Sequence, residues 1–210
     1  MGAIQTRVLG AILIAVAISG CAYRANTKVS PALDIYSNYD NKIPGRFALY
    51  VDADDLKSDV KMTGYNCAAY SYPVDASATF TSSVKKTFEN LVDEIDIVQS
   101  PLDRTQISSG GYRGLIMVKA EDLAVDLRVI PGFFSAEIEA DATIIARLTV
   151  EGDSGRIMGT SVEGDKTYRT DAGFACDGGA TAVGRAVNKA MKETLERLGE
   201  RLSNSVRLRS

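Results

Sequence analysis

The sequence predicts an α+β domain in which two amphipathic helices pack on one face of a mainly antiparallel sheet. From Ala136 to Val150 every even-numbered residue is apolar and most odd-numbered residues are charged or polar, which is the pattern of a strand with one buried face. Two other segments carry apolar residues at three- and four-residue steps, which is the period of a helix. The order strand, helix, several strands, helix places both helices against the same sheet face.

Alternation and short apolar runs predict the remaining strands. Pro131 and Gly132 end one of them, and the loop at Gly152–Gly155 returns the chain as a hairpin that pairs with the long alternating segment. Residues 64–73 suit either a short strand or an ordered loop. Besides the long segment, the predicted strands are residues 46–52, 115–118, 123–129 and 156–168.

Each predicted helix has a single apolar stripe. The first helix begins after Asp75, a residue type favoured at the N-cap, and ends near Ile95. Beyond it, Pro101 and the Ser-Ser-Gly-Gly cluster at residues 108–111 predict turns rather than helix. The stripe residues are Phe80, Val84, Phe88, Leu91, Val92 and Ile95 in the first helix, and Val183, Val187, Met191, Leu195, Leu198 and Leu202 in the second.

The N-terminus has the pattern of an export signal. Arg7 supplies a positive flank, and the 11 residues Val8–Ile18 carry no charge. A bilayer-spanning helix needs about 20 apolar residues, so this run is too short for a permanent membrane span. The segment Ile18–Cys21 resembles the bacterial lipobox, since two small residues separate a branched aliphatic residue from a cysteine.

The lipobox resemblance implies a lipid on Cys21. Diacylglycerol would be joined to its sulfur and the new amino terminus would be acylated, and several acyl chains hold a protein on a membrane far better than one does. Ala22 is not an aspartate, which implies sorting to the outer membrane, with the domain on the periplasmic face. The alternative is an ordinary secreted protein in which Cys21 follows the signal by chance.

The stretch after Cys21 is predicted to be a tether. It is rich in polar residues, Pro31 and Pro44 interrupt any regular element, and no apolar period is visible. Tyr36 and Tyr39 could instead dock this stretch on the domain. The predicted segments are a signal peptide at residues 1–20, a lipidated flexible tether at residues 21–45 and one periplasmic domain at residues 46–210.

Composition limits the chemistry and the partners. Losing Arg7 with the signal peptide changes the net charge from −3 to −4, and no basic tract is longer than two residues, so nucleic acid is not an expected partner. The chain has no histidine, which excludes histidine-dependent triads and imidazole zinc sites. Cys67 and Cys176 remain in an oxidising compartment, where they form either a disulfide or two unpaired thiols.

Two patterns are candidates for a site. Glu137, Glu139 and Asp141 share one face of the long strand, and such regularly spaced carboxylates are usually solvated, which favours a structural origin over paired-carboxylate chemistry. Phe133 and Phe134 follow the Pro-Gly turn. Packing in the core or against the hairpin is the default for them, whereas an exposed pair would be the first candidate for a partner contact.

The combination of lipobox, tether, strand, helix, alternating strands and closing helix resembles small envelope lipoproteins of the YajG-like kind. The likeness is strongest from Leu115 to Leu202, where residues 140–146 lead into the hairpin and residues 180–183 begin the last helix. It implies no catalytic residue, metal or cofactor. We expect a non-enzymatic accessory or scaffold lipoprotein that contacts an envelope protein of an assembly or transport system.

Two other functions remain open from the sequence. A sheet with helices on one face can enclose a groove, so the domain could bind a small molecule or a lipid. A tethered lipoprotein could also resemble the activators of peptidoglycan synthases and reach an enzyme in the membrane. These alternatives differ in what they require of the space between sheet and helices.

Overall fold

The computed structural model describes residues 23–25, 27–29, 41–62, 67–133, 135–173 and 176–209. Within these ranges, no helix is both long and apolar enough to cross a membrane. The strands are β1 (Tyr23–Arg24), β2 (Ile43–Asp52), β3 (Lys57–Lys61), β4 (Tyr70–Asp75), β5 (Val92–Ile97), β6 (Gly114–Pro131), β7 (Ala136–Gly152) and β8 (Gly155–Asp171), and the helices are α1 (Ser77–Leu91), α2 (Arg104–Ser109), α3 (Gly178–Ser203) and α4 (Val206–Arg209).

A five-stranded sheet in the order β5-β2-β6-β7-β8 forms the body of the molecule. The antiparallel pairings of β6 with β7 and of β7 with β8 confirm the predicted hairpins. The sheet is mixed, however, because β2 runs parallel to both β5 and β6. The two apolar runs predicted as separate strands before Pro131 form the single strand β6, whose register shifts between Ala120 and Asp122.

The two long helices pack on the same face of this sheet, as predicted. Even-numbered residues of β7 from Ile138 to Val150 are fully buried in one apolar core with residues of α1 and α3. Helix α3 lies so close to β8 that a Cβ atom at Gly164 would overlap the carbonyl oxygen of Ala190 and the hydroxyl of Thr194. The α+β fold class is therefore confirmed.

A second, three-stranded sheet in the order β1-β4-β3 adds to this core. Strand β4 pairs antiparallel with β3 and contributes the buried residues Tyr72 and Val74. Of the range 64–73, for which strand and loop were both open, residues 67–69 form a turn and the segment from Tyr70 onward is a strand; residues 64–66 lie outside the described residues. Pro73 lies in β4 opposite Asp59.

The first helix is four residues shorter than predicted. Helix α1 ends at Leu91, and Val92 and Ile95 belong to β5, where Ile95 pairs with Phe47. Three β-branched residues in the segment Val92–Ile97 favour extended backbone, so their apparent helical spacing was misleading. The N-cap is Ala76, and the predicted cap Asp75 accepts a hydrogen bond from the backbone nitrogen of Ser77 at 3.0 Å.

A short helix was missed between the two predicted turns. Helix α2 spans Arg104–Ser109, so the prediction that residues 108–111 exclude helix was wrong for Ser108 and Ser109. Asp103 and Gln106 form a capping box at the start of this six-residue helix. Ile107 anchors it over Ala48 and Leu115 in a small apolar cluster apart from the main core.

The predicted tether at residues 21–45 is ordered at both of its described ends. Strand β1 pairs parallel with β4, and the backbone nitrogen of Ala25 donates to the carbonyl of Ser71 at 3.1 Å. At the other end, β2 begins at Ile43 rather than at residue 46. The backbone groups here find partners in neighbouring strands, which the polar composition of the stretch did not reveal. Tyr36 and Tyr39 lie outside the described residues.

Candidate functional site

A disulfide joins Cys67 to Cys176, with their Cα atoms 5.9 Å apart. Both cysteines have left-handed backbone, with φ of 64° and 63°, a conformation that non-glycine residues rarely adopt. The Tyr72 hydroxyl donates to the carbonyl oxygen of Cys176 at 2.8 Å. Burial raises the pKa of Tyr72 to about 12, so this hydroxyl keeps its proton at neutral pH. The covalent bond and the hydrogen bond together hold β4 beside the start of α3.

The start of the described chain lies next to this disulfide. Tyr23 of β1 pairs with Tyr70, and the backbone nitrogen of Tyr70 donates to the carbonyl of Cys67 at 3.0 Å. Further along, Lys28 lies against Gly184, which is the second turn of α3. The first described residues therefore lie at the end of the molecule where α3 begins, and the segment that follows β1 lies along that helix.

The turn between β6 and β7 lies at the same end. The backbone nitrogen of Gly178 donates to the carbonyl of Ala172 at 3.1 Å, and the nitrogen of Ala172 donates to the carbonyl of Ala136 at 2.8 Å. Ala136 in turn pairs with Pro131, the last residue of β6. We call β1, the Cys67–Cys176 disulfide and this turn the disulfide end.

Phe133 projects from the disulfide end into solvent. It lies in a turn closed by a hydrogen bond from the backbone nitrogen of Gly132 to the carbonyl of Ser135 at 2.8 Å, and its side chain is 92% exposed. We call this the Phe133 turn. Packing in the core, the default expectation from the sequence, was wrong for Phe133; Phe134 lies outside the described residues. Sequence could not decide this, because an aromatic residue beside a turn suits either environment.

Cys21, the predicted lipidation site, also lies outside the described residues. Its position along the chain is nonetheless informative, because Ala22 alone separates it from Tyr23 of β1. Two extended residues reach at most about 7 Å. A lipid on Cys21 would therefore be attached at the disulfide end, the end that also carries the Phe133 turn.

A cluster of charged side chains lies on the sheet face opposite the long helices. Glu139 of β7 is flanked by Arg128 of β6 and Arg169 of β8, which are its cross-strand partners and donate one to each carboxylate oxygen. The Glu139 side chain is only 1% exposed because the two guanidinium groups cover it. The expectation of a solvated Glu139 was wrong, whereas Glu137 is exposed and Asp141 is half-buried.

The electrostatics of this cluster suit structure rather than acid catalysis. The hydrogen bond from Arg169, together with Arg128, holds the pKa of Glu139 below its ordinary value despite the opposing effect of desolvation. A general acid of a paired-carboxylate site needs a raised pKa. Glu139 is instead held as a carboxylate whose two oxygens are occupied, and the ion pairs connect the three long strands. This outcome supports the structural origin favoured from the sequence.

Among the described residues, the apolar stripe of α3 packs directly against the sheet. Val183, Val187, Met191 and Leu195 of α3 are fully buried against the sheet. A groove of about 570 Å³ lies instead on the surface, where Thr27 borders β3 and β4, and its lining includes Lys57, Asp59 and Asp75. Within the described part of the chain, no three Cys, Asp or Glu side chains gather to hold a metal ion.

Comparison with known proteins gives likeness of structure at very low sequence identity. No family model matches the chain, and no curated protein matches it. A Xanthomonas campestris protein of the DUF330 family is 10% identical, with a TM-score of 0.45, covering 86% of this chain and 92% of that one. A homolog of the neuraminyllactose-binding hemagglutinin from Helicobacter pylori is also 10% identical, with a TM-score of 0.47 and coverage of 83% and 93%.

A minor lipoprotein from Acinetobacter baumannii is similar over a comparable extent. It is 10% identical, with a TM-score of 0.33, covering 78% of this chain and 90% of that chain. Likenesses this distant assign no function to the chain. The resemblance to YajG-like lipoproteins therefore stays a prediction.

Proposed function

We propose that the protein is a lipid-anchored accessory lipoprotein of the cell envelope, which acts without catalysis. Acyl chains on Cys21 hold it on the periplasmic face of the outer membrane, where it supports an assembly or transport system through contact with an envelope protein. The observation that carries this proposal is the pairing of β1 with β4, two residues after Cys21. A lipid at that position fixes a folded domain directly on the bilayer surface.

The disulfide supports an exported location. Disulfides persist in oxidising compartments such as the periplasm and are rare where thiols are kept reduced. In this chain the disulfide connects β4, which carries β1, to the segment just before α3. The covalent link therefore stabilises the part of the domain that the anchor would hold.

The direct packing of α3 on the sheet favours an accessory role over a carrier that would hold its ligand there. Helix α3 rests on the sheet at Gly164 with no space for a Cβ atom, and its apolar stripe is fully buried. A carrier of a small apolar ligand needs a concave pocket that encloses most of the ligand. The groove beside β3 and β4 lies on the surface and is open to solvent, so it would not enclose such a ligand.

The proposal is tested by separating anchoring from folding. Residues 1–21 are replaced by a cleavable secretory signal without a lipobox, so that the same domain is released into the periplasm. This form, the wild type and a deletion strain are compared for membrane fractionation and for resistance to detergent and to large antibiotics. Formation of the Cys67–Cys176 disulfide in the released form shows that it has folded.

We expect the wild type in the membrane fraction and the released domain in the soluble fraction, with the released form as sensitive as the deletion strain. A released domain that fully restores resistance would contradict the proposal, because a diffusible enzyme or carrier needs no anchor. So would a wild-type protein found in the soluble fraction.

A further inference from the structure

The Phe133 turn carries an exposed aromatic side chain at the disulfide end, where a lipid on Cys21 would be attached. Among the described residues, the exposed large apolar side chains are Phe133 at 92%, Val206 at 79% and Ile97 at 40%. Of these three described residues, Phe133 alone lies at the disulfide end, which also contains β1. We propose that Phe133 inserts into the membrane to which Cys21 is anchored, as a second contact with the same bilayer.

The long strands separate the two ends of the molecule widely. Strand β7 has 17 residues, which at about 3.3 Å per residue span roughly 50 Å. The Phe133 turn lies at one end of β7, and the hairpin Gly152–Gly155 lies at the other. Val206 belongs to the far end, because Arg207 beside it donates to the carbonyl of Ile157 at 3.3 Å. A lipid on Cys21 therefore holds Phe133 near the membrane and Val206 away from it.

The anchor makes even a weak apolar contact effective. A lone phenylalanine gives little membrane affinity by itself, but a side chain already held at the surface inserts as if at high local concentration. Phenylalanine is apolar, and the closed turn that carries it presents the ring at its tip. The contact rests on the proposed function, since lipidation of Cys21 supplies the proximity.

The disulfide end carries charge of both signs. Glu137 and Asp171 are exposed and lie directly opposite each other on β7 and β8, close to the turn, and Arg24 of β1 is exposed as well. Anionic headgroups attract cations and repel carboxylates, so these charges give no clear net attraction. The proposed insertion therefore rests on the apolar ring rather than on charge. A protein partner is the other class of occupant for this aromatic, but the bilayer is favoured because a lipid on Cys21 would hold this end against it.

The sequence provides a clean optical test. The chain has no tryptophan, so Phe133→Trp creates a single tryptophan that can be excited selectively, and Val206→Trp creates a matched one at the opposite end. Each variant is purified from membranes as the full acylated chain, its lipidation is verified by mass, and it is reconstituted in phosphatidylcholine–phosphatidylethanolamine vesicles with brominated acyl chains. Bromine quenches tryptophan only within the lipid region.

We expect the Phe133→Trp emission to be blue-shifted and quenched at least twofold by brominated lipid, with no change on adding salt. The Val206→Trp emission should stay at the wavelength of water-exposed indole and be unquenched. Equal, unquenched emission from both variants in verified acylated protein would overturn the insertion and leave the anchoring proposal standing.

Other outcomes separate the two proposals further. A blue shift of the Phe133→Trp emission that needs added envelope proteins, without bromine quenching, assigns the turn to a protein partner and overturns insertion. A chain purified without acyl groups contradicts the proposed function and the insertion together. Mass and fluorescence on the same sample therefore distinguish the failure of one proposal from the failure of the other.

Discussion

The two ends of the long sheet are built by different means. The disulfide end is closed by a covalent bond between two cysteines in left-handed backbone and presents Phe133 to solvent. The opposite end, which we call the hairpin end, comprises the Gly152–Gly155 hairpin and helix α4. There, Arg113 donates to the carbonyl of Pro44 at 2.7 Å and Arg209 donates to the carbonyl of Asn41 at 3.2 Å.

The two ends differ in how much packing and hydrogen bonding stabilise them. At the disulfide end, Tyr72 of β4 lies between the two-residue strand β1 and the start of α3. Few backbone hydrogen bonds hold β1 to the rest of the domain. At the hairpin end long strands and buried side chains such as Leu208 supply stability through packing. We therefore infer that the covalent link stabilises the end where the proposed anchor would be attached, while ordinary packing stabilises the remainder.

The largest effect is expected from removing the disulfide. The double change Cys67→Ala and Cys176→Ala should lower the free energy of unfolding by about 4 kcal/mol, because a long loop regains its entropy in the unfolded chain. The bridge spans a sequence separation of 109. Denaturant unfolding with and without reductant measures it: reductant should destabilise the wild type by a similar amount and leave the double variant unchanged. A loss below about 1 kcal/mol contradicts this account of the disulfide end.

At the hairpin end the corresponding change is in packing. Leu208 of α4 is fully buried, and Leu208→Ala should cost about 3 kcal/mol through lost apolar burial and the cavity left behind. The neighbouring Val206 is 79% exposed, and Val206→Ala should change stability by less than about 0.5 kcal/mol. Equal effects of the two substitutions, measured by denaturant unfolding, would show that α4 adds nothing to the packing of this end.

Between the two ends, Glu139→Gln should cost about 2 kcal/mol, since two hydrogen bonds from guanidinium groups lose their charged acceptor. The pKa of Glu139 is lowered in the folded protein, so its contribution is fully present above the ordinary carboxyl pKa and is lost as pH falls through the lowered value. The wild type should therefore lose stability more steeply on acidification than Glu139→Gln. The exposed Glu137→Gln is the matched control, and identical acid unfolding curves for Glu139→Gln and wild type would contradict the assignment.

The smallest effect is expected from the hairpin turn itself. Gly155 has φ of +129°, a conformation that a side chain disfavours, so Gly155→Ala should destabilise by about 1 kcal/mol. At Gly159 a Cβ atom would meet only the Cδ atom of Arg156, at 3.5 Å, an ordinary contact. Gly159→Ala should therefore be neutral in thermal unfolding. A neutral Gly155→Ala would mean that the hairpin relaxes without cost.

Sequence alone predicts the parts of the fold that depend on periodicity. The alternation in β7 and the stripes of the two long helices depend on burial of one face, which leaves a regular trace in the sequence. The parallel pairing of β2 with β5 and β6 leaves no such trace, because it depends on which distant segments meet. The fate of Ile95 shows the same limit, since its spacing fits a helix and its β-branched side chain fits a strand.

The candidate site is less readable from sequence than the fold. The covering of Glu139 depends on the register that places Arg128 and Arg169 opposite it, at separations of 11 and 30 residues. The pairing of β1 involves two residues in a polar stretch, too few to produce a pattern. The exposure of Phe133 follows from the closed turn that carries it, and composition does not report that geometry.

We propose that acyl chains on Cys21 hold the disulfide end at the membrane. The most direct measurement is mass spectrometry of the amino-terminal peptide from protein extracted from membranes by detergent. We expect this peptide to begin at Cys21 and to carry thioether-linked diacylglycerol and an acylated amino group. A membrane-derived peptide that begins before or after residue 21, or that carries an unmodified Cys21, would contradict it.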